Sequence, residues 1–206
     1  GFREYMNQLD TPLETGYLLR IGIDHFKEIN DNFGQEYGDF VLKKTAECIS
    51  GCTSEGQKVY KLVADEFLIL DVSSDEARDA DKLYDKVREA IDRFIETNEF
   101  KVMYTVSGGI VPFAALKGNQ CSEALKLTDF ALNEAKKLGR NRCYIFNGET
   151  YRKFLRKREI TQELREAVIN GFQGFTAFYQ PVFAEDKKVP YGAEALMRFT
   201  SEKFGM

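Results

Sequence analysis

Histidine occurs once in the 206 residues, as His25, and cysteine only at Cys48, Cys52, Cys121 and Cys143. Cys48 and Cys52 are spaced by one helical turn and no C-x-x-C pair exists, so a zinc centre is not expected. The four thiols read instead as small apolar residues of a reducing cytoplasm. No apolar run approaches the roughly 18 residues of a membrane-spanning helix, and the N-terminus lacks a secretory signal pattern. A cytoplasmic location is therefore expected, with any membrane anchor of a full-length protein carried by segments outside these residues. A basic excess is also missing. Lys and Arg number 29 against 33 Asp and Glu, a net charge of −4, which argues against a general nucleic-acid binder because nothing offsets phosphate repulsion.

What is present is a globular composition, 43% hydrophobic and 30% charged, enough for one ordinary domain and a fragment of a second. The run from Tyr17 to Ile23 predicts a buried central strand. After a short helical stretch, Phe40, Val41, Lys44, Thr45 and Cys48 recur at helical spacing, with Gly51 as the expected stop. "KVYKLV" and "EFLILDV" predict a hairpin turning near Ala64-Asp65. "SSDEARDADKLYDKVREAIDRFIE" predicts a serine-capped amphipathic helix with Leu83, Val87 and Ile91 on one face. "KVMYTVSGGIVPF" reads as a strand, "NQCSEALKLTDFALNEAKKLGR" as a helix stopped by Gly139, and "NRCYIFN" as a closing strand. The order β-α-α-β-β-α-β-α-β predicts an α/β (α+β) domain over residues 1–148. Its mixed, largely antiparallel sheet of about five strands is covered by helices.

Beyond Asn147 the character changes. Residues 149–174 predict a long polar helix, with Tyr151, Phe154, Leu155, Leu164 and Val168 as its apolar positions. Two strands around "AEDKK" follow in residues 175–206. Two strands cannot bury a core alone, so this is the expected start of a second domain. The basic cluster Arg152, Lys153, Arg156, Lys157 and Arg158 reads as a solvated helix face, or as a surface for anionic lipid or an acidic partner.

Three stretches could carry chemistry. Asp65-Glu66 sits at the hairpin tip, where carboxylates can hold magnesium or take a proton; the alternative is a polar turn. "IDHFKEINDNFGQEYGDFVL" places Asp24 at a strand end, then Lys27, Asn30 and Asp39. An amide and a carboxylate suit a purine edge and a lysine suits a phosphate, while capping and turn chemistry is the alternative. Lys136 and Arg140 lie four apart, which predicts one helix face converging on a polyphosphate, or a cation-rich helix C-terminus.

Taken in order, "IDHFKEINDNFGQEYGDFVL", "VYKLVADEFLIL", "VSGGI" and "TDFALNEAKKLGRNRCYIF" resemble the diguanylate cyclase family, the GGDEF domain, over residues 15–147. "YQPVF…GAEALMRF" resembles the opening strands of an EAL domain, the cyclic di-GMP phosphodiesterase family. The resemblance implies a nucleotide-cyclase-like fold and a site that joins two GTP molecules across a homodimer. It implies guanine reading by Asn30 and Asp39, and triphosphate contacts by Lys27, Lys136 and Arg140. Asp65 is implied as a Mg2+ ligand and Glu66 as the acid acting on the ribose 3′-hydroxyl. In the second resemblance, Glu194 matches a metal ligand of a complete EAL domain, and Gln180 and Arg198 match positions near the dinucleotide.

Several positions depart from the pattern. Val63 and Ala64 replace the two signature glycines, where close backbone approach and φ > 0 favour glycine. Gly22 replaces the first aspartate of the strand-end D-x-D, an expected magnesium ligand. Ser54-Glu55-Gly56-Gln57 stands where the family's inhibitory R-x-x-D lies. These departures predict a degenerate, inactive cyclase domain with vestigial Glu66 and Mg2+ binding that is weak or absent. Its expected partners are GTP as a regulatory ligand, its own EAL domain and a second copy. The alternatives are a scaffold or dimerisation domain without nucleotide binding, or a residually active diguanylate cyclase.

Overall fold

The computed structural model describes residues 1–9, 13, 15–74, 77–97, 102–118, 120–184, 188–201 and 203–205. The chain divides into two compact units, Gly1–Asn147 and Gly148–Met206.

In the first unit a short helix, α1 (Phe2–Asn7), precedes the elements expected from the sequence. These are β1 (Tyr17–Ile23), α2 (Phe26–Phe33), α3 (Gln35–Cys52), β2 (Gln57–Lys61), β3 (Glu66–Asp71), α4 (Ala77–Thr97), β4 (Val106–Pro112), α5 (Cys121–Lys137) and β5 (Cys143–Ile145). The sheet order is β2-β3-β1-β4-β5. All pairs are antiparallel except β4 with β5. The expected mixed, largely antiparallel sheet of an α/β cyclase-like fold is therefore what forms.

β1 lies at the centre and is covered on both faces, which explains its nearly continuous apolar run. Leu19, Ile21 and Ile23 join Ile49 of α3 and Val87 and Ile91 of α4 in one core. Leu18 points the other way, into a second cluster with Phe2 and Met6 of α1 and with Cys121 and Ala124 of α5. The amphipathic reading of α4 holds, since Leu83, Val87 and Ile91 are all buried. Asp75 and Glu76, in the stretch read as that helix, lie outside the described residues, as do Lys101 and Asn119, the first residues of the expected fourth strand and fourth helix.

Small residues set the layer spacing at β4. A Cβ on Gly109 would stand 2.3 Å from the backbone nitrogen of Leu132 and 2.7 Å from the carbonyl carbon of Ala131, so α5 rests its main chain on the strand. On the opposite face, a Cβ on Gly108 would stand 2.8 Å from both the Cys143 sulfur and the Tyr84 ring. The Tyr84 hydroxyl donates to the Val106 carbonyl at 2.8 Å and fixes α4 on the same strand.

Three boundaries differ from the sequence reading. α3 continues through Gly51 to Cys52, because nothing in this last turn demands a left-handed residue. β2 ends at Lys61, so Leu62 and Val63 belong to the turn. α5 ends at Lys137, with Gly139 at φ 116° as its stop, and Arg140 is off the helix. All four cysteines are free thiols; only Cys121 is buried outright, and burial raises the Cys143 thiol well above its ordinary value.

The second unit contains α6 (Gly148–Ile169) and an antiparallel hairpin of β6 (Phe175–Phe183) and β7 (Pro190–Phe199). α6 ends short of the expected 174 and has no buried residue. The chain end folds back to it: the Ser201 hydroxyl bonds Glu163 at 2.5 Å and Lys203 pairs with Glu159 at 2.7 Å. Among the described residues no helix is long and apolar enough to cross a membrane.

Two glycines separate packing from propensity. Gly109→Ala should destabilise the chain by about 1–3 kcal/mol through overpacking against α5. Gly51→Ala, where nothing lies within 4 Å of the new methyl, should stabilise by about 0.5 kcal/mol through reduced unfolded-chain entropy. Urea denaturation midpoints check both.

Candidate functional site

The site residues gather where β1 and β3 end. Gly22 pairs with Glu66, and the Asp65 carbonyl accepts from the Ile23 amide at 3.3 Å, so the hairpin tip closes over the end of β1. The turn itself is sealed by the Leu62 amide donating to the Glu66 carbonyl at 2.9 Å. Ala64 sits at φ 55°, in the left-handed region. Of the two replaced signature glycines, the conformational demand therefore falls on Ala64. Val63 keeps a negative φ and is simply exposed, at 84%. The strain of the replaced glycines is thus carried by a left-handed alanine and not by the β-branched valine.

Lys61 latches this turn. Its ammonium donates to the Ala64 carbonyl and, at 3.4 Å, to the Leu62 carbonyl, and lies 4.9 Å from the centre of the Phe67 ring. Burial pulls the Lys61 ammonium below its ordinary pKa, and the charges of Asp65 and Glu66 oppose that shift.

The two acids following the strand core are committed in different ways. Asp24, 2% exposed, accepts from the Ser107 hydroxyl at 2.7 Å on one oxygen. Its other oxygen accepts from the Thr105 hydroxyl at 2.7 Å and the Asn141 amide at 3.2 Å. Arg140 and Asn141 both have left-handed φ values, 60° and 46°, which turn that amide toward Asp24. Glu66 receives the Arg20 guanidinium on one carboxylate oxygen, from Nε at 2.8 Å and from Nη2. Both side chains are largely covered, with 13% and 19% of their surface exposed, which makes this charge-assisted pair stronger than a surface one.

This geometry bears on magnesium. Asp24 accepts from three donors and one oxygen of Glu66 is held by Arg20, whereas Asp65 has no such engagement. Position 22, where a further carboxylate would be needed, has no side chain. Among the described residues no group of three or more His, Cys, Asp or Glu side chains could hold a metal ion. The donor set does not fit a resident divalent ion.

The expected base-reading pair sits elsewhere, between α2 and α3. Asn30 lies directly on Gly38, the neighbour of Asp39, and a Cβ on Gly38 would stand 1.8 Å from Asn30 Oδ1. That oxygen is buried with no hydrogen-bond partner. Asp39 and Lys27 are exposed. A cavity of about 640 Å3 opens beside α2 and is bordered by His25, Glu28, Asp92 and Glu96, but by none of Lys27, Asn30, Asp39, Lys136 or Arg140. The one-face reading of Lys136 and Arg140 is corrected: Lys136 is in the last turn of α5 and Arg140 is in the left-handed loop after its glycine stop. Arg20, Lys61 and Gly38 escaped the sequence reading. The one signal for Arg20 was a charge inside an apolar strand, two residues from Gly22 and so on the same face.

In the second unit, Gln180 and Glu194 are direct cross-strand partners, and Arg198 pairs with Thr176. The two-residue period puts Gln180, Glu194 and Arg198 on one face of the hairpin. All three are exposed.

Residues 2–142 match the family described as diguanylate cyclase, GGDEF domain. The chain is 28% identical over 190 residues to the cyclic di-GMP phosphodiesterase NbdA of Pseudomonas aeruginosa, covering 92% of this chain and 24% of that protein. It is 26% identical over 189 residues to the bifunctional diguanylate cyclase/cyclic di-GMP phosphodiesterase MucR of the same organism, covering 92% of this chain and 27% of that protein. The chain thus spans about a quarter of the length of these curated relatives. Among solved structures, the active GGEEF domain of a diguanylate cyclase from Vibrio cholerae superimposes with a TM-score of 0.56 at 28% identity, covering 71% of this chain and 92% of that one.

Ala64→Gly should raise stability by about 1 kcal/mol, because it relieves a left-handed alanine. Val63→Gly should lower stability slightly by loosening the unfolded chain. Thermal or urea unfolding of the two variants tests where the strain lies.

Proposed function

The chain belongs to the diguanylate cyclase GGDEF-domain family, and on that premise we propose that its first unit is a regulatory guanine-nucleotide-binding domain without cyclase activity. The observation that carries the loss of activity is the Arg20–Glu66 pair. Arg20 holds one oxygen of the acid expected to help deprotonate a ribose hydroxyl and ties it toward α5, which competes with its use on a substrate group. Gly22 and Ala64 act in the same direction. The first removes a carboxylate from the tip, and the second puts a methyl group where phosphates would need the backbone.

Nucleotide binding is supported by what remains. Asn30 Oδ1 is a buried acceptor without a donor, seated by Gly38 beside Asp39, and an exocyclic amino group of guanine is the kind of donor it lacks. On this reading Asn30 and Asp39 read the base, while Lys27, Lys136 and Arg140 meet the phosphates.

The second unit is proposed to be the start of an EAL domain. The matches to NbdA and MucR extend over 92% of the chain and so run past residue 142. Gln180, Glu194 and Arg198 share one hairpin face, as a dinucleotide and metal site would require. In a complete protein, occupancy of the first domain would then bias a cyclic di-GMP phosphodiesterase, provided the two states differ in nucleotide affinity. The exposed Val63 favours a second reading, a scaffold that works through protein contacts.

Calorimetric titration with GTP separates the two readings. Saturable binding at micromolar GTP, weakened at least tenfold by Asn30→Ala or Asp39→Ala, is expected, with no cyclic di-GMP formed on incubation. No heat up to millimolar GTP would leave the scaffold reading, and cyclic di-GMP production at the rate of an active cyclase would overturn inactivity.

A further inference from the structure

The hairpin tip has its charge balanced from within. Arg20 gives Glu66 a two-nitrogen contact, and its other bonds are to Asp129 Oδ1 at 3.3 Å and the Leu125 carbonyl at 3.2 Å. The guanidinium is thus anchored at both ends, to β3 and to α5. Beside it, α5 sends Lys136 over Gly22. A Cβ built on Gly22 would stand 3.2 Å from Lys136 Nζ, 3.1 Å from Leu132 Cδ2 and 3.5 Å from Glu66 Cγ. An ammonium therefore borders the spot from which a carboxylate at position 22 would extend.

We propose that Arg20 and Lys136 are fixed protein cations that replace a divalent metal ion at this tip. Arg20 occupies the Glu66 carboxylate, and Lys136 holds positive charge against the strand where glycine leaves room for it. A dication brought there meets two like charges and too few free oxygens. The consequence concerns repair of the site. A carboxylate restored at position 22 would form an ion pair with Lys136 rather than a metal site, so both cations must be removed before metal binds. This inference stands on the hairpin geometry and is independent of whether GTP binds.

Manganese(II) alone, followed by electron paramagnetic resonance, tests it on the whole chain. The unmodified chain and Gly22→Asp should both leave the Mn2+ spectrum that of the free ion at millimolar protein. The combination Gly22→Asp, Arg20→Gln and Lys136→Gln should bind at least tenfold more tightly, with circular dichroism confirming the fold. The proposal is overturned if the unmodified chain binds Mn2+ through Asp65, as judged by loss in Asp65→Asn. It is equally overturned if Gly22→Asp alone matches the combination, or if the folded combination gains nothing. Should the combination not fold, urea midpoints decide: Lys136→Gln must cost more in the Gly22→Asp background than in the unmodified chain, and equal shifts overturn the proposal.

Discussion

The carboxylate of Asp24 is the point from which the site is built. It is buried at the end of the central strand, where an ionised group without partners would cost several kcal/mol. Its donors come from two places: the hydroxyls of Thr105 and Ser107 at the start of β4, and the amide of Asn141 in the loop after α5. Satisfying one charge therefore holds the end of β1, the start of β4 and the left-handed Arg140-Asn141 turn in one arrangement. Asp24 thus commits three of a carboxylate's roughly four acceptor sites to the protein itself.

With Asp24 engaged in this way, the chemistry of the tip depends on how the remaining charges are matched. Arg20 holds Glu66, Lys136 stands over Gly22, and Lys61 feels the charges of Asp65 and Glu66. Lys61 closes the turn by binding its carbonyls, and Arg20 draws Glu66 toward α5. Under the proposal made above, the outline of a cyclase tip persists while its electrostatic partner changes from a mobile ion to tethered side chains. Loss of a glycine signature alone does not describe that change.

Much of the fold was legible in the sequence because it rests on periodicity. The Tyr17–Ile23 run marked a strand covered on both faces, and Leu83, Val87 and Ile91 marked the buried stripe of α4. The hairpin was visible from two apolar runs around an acidic pair. Other features rest on information that spacing does not carry. Gly51 reads as a helix stop, yet a glycine terminates a helix only where the chain turns left-handed, and here that happens at Gly139 and not at Gly51. Counting four residues from Lys136 to Arg140 crossed that stop, so the shared face dissolved. Arg20 could be noticed as a charge in an apolar strand, but its partner 46 residues away is set by register alone. The Asn30 seat on Gly38 likewise needs the crossing of α2 over α3.

The contact at Gly109 reaches further than packing. Because this residue ends at its Cα hydrogen, α5 lies with its backbone against β4, close enough for Leu132 and Lys136 to overhang the neighbouring strand at Gly22. The height of the helix above the sheet is thus the quantity that decides where the lysine charge falls. A helix raised by one methyl group would lift Leu132 and the Lys136 backbone away from Gly22, so the surroundings of the tip depend on a hydrogen atom on a different strand.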